Sequence, residues 1–129
     1  MPRRYLLTDE VAAALRRGKA VECFVGPCDN SSGLGIRWIS LRVKHGEVCA
    51  SVFESRDEGS SNFVDIYEFG PLNAEREHGE PEERIMFSDL SECLAAIAKK
   101  WPEVSSRLVN EGVVQDEYKD FIAHGRRHA

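Results

Sequence analysis

The chain has 129 residues, of which 42% are hydrophobic and 30% are charged, a balance typical of one globular domain with its own core. No apolar run approaches the roughly 20 residues that a membrane-spanning helix needs, so no membrane association is expected. Asp9 and Glu10 follow the basic N-terminus before any apolar segment develops, which argues against a secretory signal. We therefore expect a single cytoplasmic domain over residues 1–129.

The net charge of −5 is unevenly distributed along the chain. Residues 54–92 carry 12 acidic and three basic side chains, a net charge of −9, whereas the remaining residues carry a net charge of +4. Binding to nucleic acid or to an anionic membrane needs clustered Lys and Arg side chains, so this distribution argues against both. An acidic segment instead favours a basic protein partner, which it attracts by electrostatic steering.

The first predicted elements are a helix, a strand and a loop. Thr8 is a favourable N-cap residue and Gly18 is a stop signal, so a helix is predicted over residues 9–18. The segment AVECFVG alternates well enough to predict a strand. The segment GPCDNSSGLG is rich in turn-forming residues and predicts a loop, and the sequence leaves open whether Cys28 is exposed there.

The clearest pattern is a hairpin in the segment IRWISLRVKHGEVCASVFES, where two alternating stretches flank a turn at Gly46. After a second turn, the segment NFVDIYEFG at residues 62–70 predicts another strand of an antiparallel meander. The polar stretch that follows contains proline and glycine, which predicts a flexible acidic loop at about residues 71–83. The segment RIMF predicts one further short strand.

Helices are predicted in the last third of the chain. Ser88 is a suitable N-cap for a helix whose apolar residues recur at helical spacing up to Trp101. The segment PEVSSRLVNEG predicts a second short helix, and VQDEYKDFIAHG predicts an amphipathic third one before a frayed tail at about residues 125–129. This order predicts the α+β class, with an antiparallel sheet of four to five strands. The N-terminal helix and two to three C-terminal helices are expected to pack on one face.

The segment NFVDIYEFG carries two carboxylates within a pattern that otherwise suits a core strand. Strand alternation puts Asp65, Tyr67 and Phe69 on one face and Glu68 on the other. The first face is then either a solvated side of the sheet or a binding surface, because aromatic residues are common anchors at interfaces. A catalytic pair of Asp65 and Glu68 is disfavoured, since their side chains would point to opposite faces.

Common motifs of catalysis and metal binding are absent from the sequence. It contains no phosphate-binding loop, no nucleophile elbow, no HExxH motif and no pair of cysteines at zinc-finger spacing. The cysteines are therefore expected to be structural, and no cofactor or enzymatic activity is expected. His78 lies among carboxylates in the acidic loop, which leaves a metal-dependent hydrolase as a third hypothesis.

The segment ISLRVKHGEVCASVFESRDEGSSNFVDIYEFGPL, the acidic loop and the segment FSDLSECLAAIAKKW together resemble small acidic bacterial immunity proteins of polymorphic and contact-dependent toxin systems. The resemblance is one of general pattern and covers roughly residues 36–122. Such proteins commonly pair an antiparallel sheet with helices and block a toxin domain with acidic and aromatic side chains. The resemblance implies a tight, non-enzymatic inhibitor of a toxin.

The leading hypothesis is a protein-binding domain of this immunity type, which occludes a basic toxin-like partner with an acidic and aromatic face. The alternative is a regulatory domain that binds a small molecule or peptide in a pocket formed by Trp38, Phe53 and Tyr67. A homodimer through an exposed sheet edge is compatible with either hypothesis. The candidate partner-binding residues are Glu54, Asp57, Glu58, Asp65, Tyr67, Phe69, Glu75, Glu77, Glu80, Glu82 and Glu83.

Overall fold

The fold is known from a computed structural model that describes residues 4–30 and 33–126. A five-stranded antiparallel sheet with strand order β4–β3–β2–β1–β5 forms its centre. The predicted α+β class, the antiparallel sheet and the N-terminal and C-terminal helices are confirmed. The elements are helix α1 (Thr8–Arg16), strands β1 (Val21–Asn30), β2 (Gly33–Lys44), β3 (Glu47–Ser55) and β4 (Glu83–Phe87), helix α2 (Leu90–Lys100), strand β5 (Val109–Asn110) and helix α3 (Val114–Ala123).

The first face of the sheet carries an aliphatic core. Alternation along β2 places Ile39 and Leu41 on this face, and both are fully buried. Helix α1 contributes Val11, and helix α2 contributes Ile97, to the same cluster. Burial of each large aliphatic side chain contributes about 1.5–3 kcal/mol, so this face anchors the helices on the sheet.

The second face of the sheet carries an aromatic core. Trp38 on β2 directly precedes Ile39 and therefore points to the opposite side. Helix α3 packs here through Tyr118 and Phe121, next to Phe24 of β1. The expectation that all helices share one face is therefore wrong for α3, because β1 and β2 bear large apolar residues on both sides and each side needs a cover.

Strand β1 continues through most of the segment that was predicted to be a loop. Val25 is the extra residue of a bulge between Phe24 and Gly26, and Gly26, with a φ of 123°, pairs with Arg37, so the strand continues through the glycine and proline. Among the described residues, β5 pairs only with Val21 and Glu22, so the later half of β1 lies at a sheet edge, where Pro27 is tolerated. The thiol of Cys28 is buried, not exposed.

The segment at residues 62–70 is not a strand, which corrects the prediction for NFVDIYEFG. Its Phe63 forms an isolated bridge with Ser60, just before the segment, and Ile66–Glu68 form a 3₁₀ turn. The Asp65 carboxylate accepts a hydrogen bond from the Tyr67 N–H at 3.2 Å, a local bond that competes with strand pairing. Strand β4 occupies the outer edge of β3, so the segment crosses the second face.

Two smaller differences concern the C-terminal part. The segment RIMF lies within β4, as predicted, and α2 begins after an N-cap at Asp89, whose side chain accepts from the Glu92 N–H. The segment PEVSSRLVNEG is not a helix, because a 3₁₀ turn at Val104–Ser106 leads into β5. Residues 127–129 of the predicted frayed tail lie outside the described residues.

Candidate functional site

Three aromatic side chains meet on the second face and form what we call the aromatic pocket. Trp38 and Phe53 are paired residues of β2 and β3, and their rings stack with centroids 4.1 Å apart. The Tyr67 ring approaches Trp38 edge-on at 5.3 Å. These are the three residues predicted for a ligand pocket. They line a cavity of about 200 Å³ together with Ser55, Ile66, Phe69 and Gly79.

The indole nitrogen of Trp38 is an unusual feature of this pocket. Trp38 is 5% exposed, and its Nε1 has no hydrogen-bond partner among the described residues. A buried donor without a partner costs about 1–3 kcal/mol, so native proteins rarely retain one. An acceptor entering the cavity and reaching this nitrogen would recover that free energy.

Tyr67 is held in place by a buried carboxylate on β1. Its hydroxyl donates to Glu22 Oε1 at 2.6 Å, and the Gly112 N–H donates to the same oxygen at 2.9 Å. Burial raises the pKa of Glu22, while burial and the bond to Glu22 raise the pKa of Tyr67. The phenol therefore stays neutral at physiological pH, with its ring fixed against Trp38.

The acidic loop reaches the aromatic pocket through Gly79. The Glu80 N–H donates to the Glu77 carbonyl at 3.0 Å, which closes a turn, and Gly79 lies within this turn with a φ of 82°. Arg76 braces the loop by ion pairs of 3.5 Å with Glu80 and with Glu82. Two predicted carboxylates, Glu77 and Glu80, therefore lie within two residues of a pocket-lining glycine.

Other predicted partner-binding residues serve internal contacts. Asp57 accepts from the Tyr118 hydroxyl and pairs with Arg126 at 2.8 Å. Glu58 accepts from the Gly70 N–H at 2.6 Å, which holds together the irregular segment at residues 56–72. Asp57 and Glu58 therefore stabilise the cover of the second face.

The predicted common face of Glu54, Asp65, Tyr67 and Phe69 does not form. Glu54 lies on the first face, where Arg37 Nε donates to it at 2.8 Å. Phe69 is buried in the aromatic core, and Asp65 accepts from the Gln115 side chain at 3.3 Å. The placement of Asp65, Tyr67 and Phe69 failed because it was made by strand alternation and their segment is not a strand, whereas Glu54 lies on β3 but points to the opposite face.

The remaining predicted carboxylates lie at the surface. Glu83 at the start of β4 pairs with Lys100 at 3.5 Å, and Glu82 is held by Arg76. Glu75 and Glu77 are exposed, and their side chains have no ion-pair partner in the described part of the chain. Within the described residues the acidic loop therefore carries two carboxylates without an ion pair, and Glu77 is two residues from the pocket-lining Gly79.

The sequence interpretation missed two buried carboxylates and one cleft. Glu22 and Glu117 are each 3% exposed, although glutamate is rarely buried, and alternation alone gave no signal for them. The cleft lies around Trp101, which was predicted only as an apolar helix position. Of its charged neighbours, Arg37 is far from Trp101 in the sequence and reaches the cleft only through the fold.

The described residues contain neither a metal-binding group nor a membrane-spanning helix. Over residues 4–30 and 33–126, no three His, Cys, Asp or Glu side chains are grouped so that they would hold a metal ion. His78 therefore has no such group around it in the described structure. None of the described helices is both long enough and apolar enough to cross a membrane.

Comparison with protein-family models, with curated proteins and with solved structures finds no significant match to this chain.

Proposed function

We propose that this protein is a non-enzymatic binding domain that captures a Lys or Arg side chain of a basic, toxin-like protein partner in the aromatic pocket. The observation that carries the proposal is the position of Gly79. It brings the acidic loop to the cavity formed by Trp38, Phe53 and Tyr67. The aromatic rings thus lie beside the turn whose other residues include Glu77 and Glu80.

The chemistry of the pocket favours a cation. The faces of Trp, Tyr and Phe rings attract ammonium and guanidinium groups within about 6 Å, and the attraction is worth about 0.5–2 kcal/mol depending on desolvation. The neutral, fixed ring of Tyr67 fits such an aromatic wall. Carboxylates at the rim add a charge-assisted bond for a group that reaches beyond the rings.

The acidic loop has a second role in this proposal. Exposed carboxylates such as Glu75 and Glu77 attract a basic partner over distances comparable with the Debye length, about 8 Å at physiological salt. They raise the association rate more than they prolong the complex. An inhibitor of the immunity type would combine this steering with insertion of a cationic side chain into the pocket.

Short peptides test the proposal without a known partner. We expect peptides containing Arg or Lys to bind and to shift the indole N–H resonance of Trp38, whereas matched peptides containing citrulline or norleucine bind at least about tenfold more weakly, or about 1.4 kcal/mol. Phe53→Leu should weaken binding of the cationic peptides. Phe63→Leu is the matched control, because Phe63 is exposed and does not line the pocket.

Charge reversal tests the contribution of the loop. Glu77→Lys should weaken binding of the Arg peptide and reduce its dependence on salt, because it removes an unpaired charge near the pocket. Glu47→Lys makes the same change at the first residue of β3, which does not line the pocket, and should have little effect. Equal effects of the two variants would show that the loop has no specific role.

A second candidate function is the binding of a small neutral ligand, which the unpartnered Trp38 Nε1 favours. A carbonyl oxygen in the cavity would accept from this nitrogen, whereas a cation has no lone pair to offer. The same peptides separate the two functions, because citrulline keeps a carbonyl oxygen and lacks the charge. Binding of citrulline as tight as that of arginine would favour the neutral ligand.

A further inference from the structure

A second site is suggested by the cleft around Trp101, which has a volume of about 240 Å³. It lies beside the edge of β1 and is closed by the chain that follows α2. Its charged lining contains three cations and a single carboxylate, Glu103, in a protein whose net charge is −5. The three cations are Arg37, Lys100 and Arg107.

The indole of Trp101 is flanked by two of these cations. The Arg37 Cζ atom lies 5.3 Å from the ring centroid, and the Lys100 Nζ atom lies 5.7 Å from it. Trp101 is only half-buried, so part of its ring remains accessible from the cleft. A flat hydrophobic surface and positive charge are therefore available to the same incoming molecule.

Carboxylates outside the cleft hold the cations in position. Arg37 pairs with Glu54, Arg107 pairs with Glu117 at 3.2 Å, and Lys100 pairs with Glu83 at 3.5 Å. Such bracing reduces the side-chain entropy that a ligand would otherwise have to remove on binding. The charged wall of the cleft is therefore largely preorganised.

The pairs still leave capacity to bind an anion. Arg37 bonds to Glu54 through Nε and Nη2, both to one oxygen, whereas a guanidinium carries five N–H donors on three nitrogens. The Lys100 side chain is 56% exposed, and its ion pair with Glu83 is long and solvated, so an anion can compete for it. Both groups lie at the Trp101 ring.

We propose that the Trp101 cleft binds a small aromatic anion, a ring that carries a phosphate or carboxylate group. The ring stacks on the Trp101 indole, and the anionic group bonds to Arg37 and Lys100. Stacking and charge act together, so the cleft discriminates against a free inorganic anion and against a neutral ring. The site is separate from the aromatic pocket and does not depend on it.

The two tryptophans make the test direct, because each has one indole N–H resonance and the Trp101→Phe variant assigns them. Phenyl phosphate is titrated into the ¹⁵N-labelled full chain. We expect a saturable shift of the Trp101 resonance with little change at Trp38. Inorganic phosphate and phenol should bind at least about tenfold more weakly. Equal binding of phenyl phosphate and inorganic phosphate, or no saturable shift, would overturn the proposal.

Neighbouring lysines provide the matched control. Lys100→Ala should weaken phenyl phosphate binding several-fold, and Lys100→Arg should largely retain it, because the charge is kept. Lys99→Ala removes a neighbouring exposed lysine that does not line the cleft and should leave binding unchanged. Identical losses in Lys99→Ala and Lys100→Ala would contradict a specific site. An unchanged Trp38 resonance shows that each variant is folded.

Discussion

The two faces of the sheet are covered in different ways. On the first face, α1 and α2 bury an aliphatic cluster that includes Val11, Ile39 and Ile97. On the second face, α3 and an irregular segment at residues 56–72 together cover the sheet, and the buried cluster beneath them is rich in aromatic residues. Regular helices satisfy their own backbone groups, whereas an irregular cover depends on side-chain hydrogen bonds.

The polar groups of the second face follow from this difference. Glu22 binds Tyr67, Asp57 binds Tyr118, and Glu58 binds the Gly70 N–H. The first bond fixes the irregular segment to a strand, the second fixes it to a helix, and the third joins its two ends. The aromatic pocket lies on this face and is lined by Trp38, Phe53 and Tyr67. The face with the less regular cover thus owes much of its order to side-chain hydrogen bonds.

The largest loss of folding stability is expected from a substitution in the aliphatic core of the first face. Ile39→Ala removes a fully buried side chain at the centre of the first core and should lower the free energy of unfolding by about 2–5 kcal/mol. Val43→Ala, on the same strand and the same side but 44% exposed, should cost less than about 1 kcal/mol. Urea denaturation measures both. Similar losses would mean that this face does not have one dominant core.

An intermediate loss of folding stability is expected where a side-chain hydrogen bond holds the irregular cover of the second face. Tyr118→Phe keeps the ring in the second core but removes the hydroxyl that donates to Asp57 and accepts from the Gly59 N–H at 3.1 Å. The loss should be about 1–3 kcal/mol, because the acceptor is charged and Tyr118 is fully buried. A double-mutant cycle with Asp57→Asn isolates the pair. Additive losses would show that the bond does not stabilise the fold.

The smallest effect is a dependence of stability on pH at Glu22. Burial raises its pKa above the usual 4.5, so the folded state holds this proton more tightly than the unfolded chain. The resulting stability is present below about pH 4.5 and is lost as the pH rises through the raised folded pKa. Glu22→Gln should lack this component, and denaturation from pH 4 to 8 would reveal it. Parallel curves for the two proteins would contradict the assignment.

The regular elements were the ones that the sequence could predict. Alternation around Gly46 predicted the β2–β3 hairpin, and helical spacing predicted α2 and α3, because these patterns act over a few residues. The segment at residues 62–70 also has a strand pattern, yet it is not a strand, since the edge of β3 is already paired with β4. Its residues are apolar because they cover a sheet face.

The candidate site could be predicted only in part. Trp38, Phe53 and Tyr67 were correctly grouped, because two belong to the hairpin and all three are aromatic residues near the same strands. The predicted acidic and aromatic face was not formed, because Glu54 lies on the opposite side and Asp57 bonds within the fold. The unpartnered Trp38 nitrogen depends on the full packing around it and leaves no trace in the sequence.

The sequence by itself determined the α+β class, the hairpin and the acidic character of the middle segment, since composition and short periodicities encode these directly. Only the tertiary structure decided which carboxylates remain uncompensated and where the acidic loop lies. Those properties depend on contacts between distant residues, such as the pair of Glu22 and Tyr67, and on competition for a strand edge. A local pattern carries no information about which distant group will satisfy a charge or cover a face.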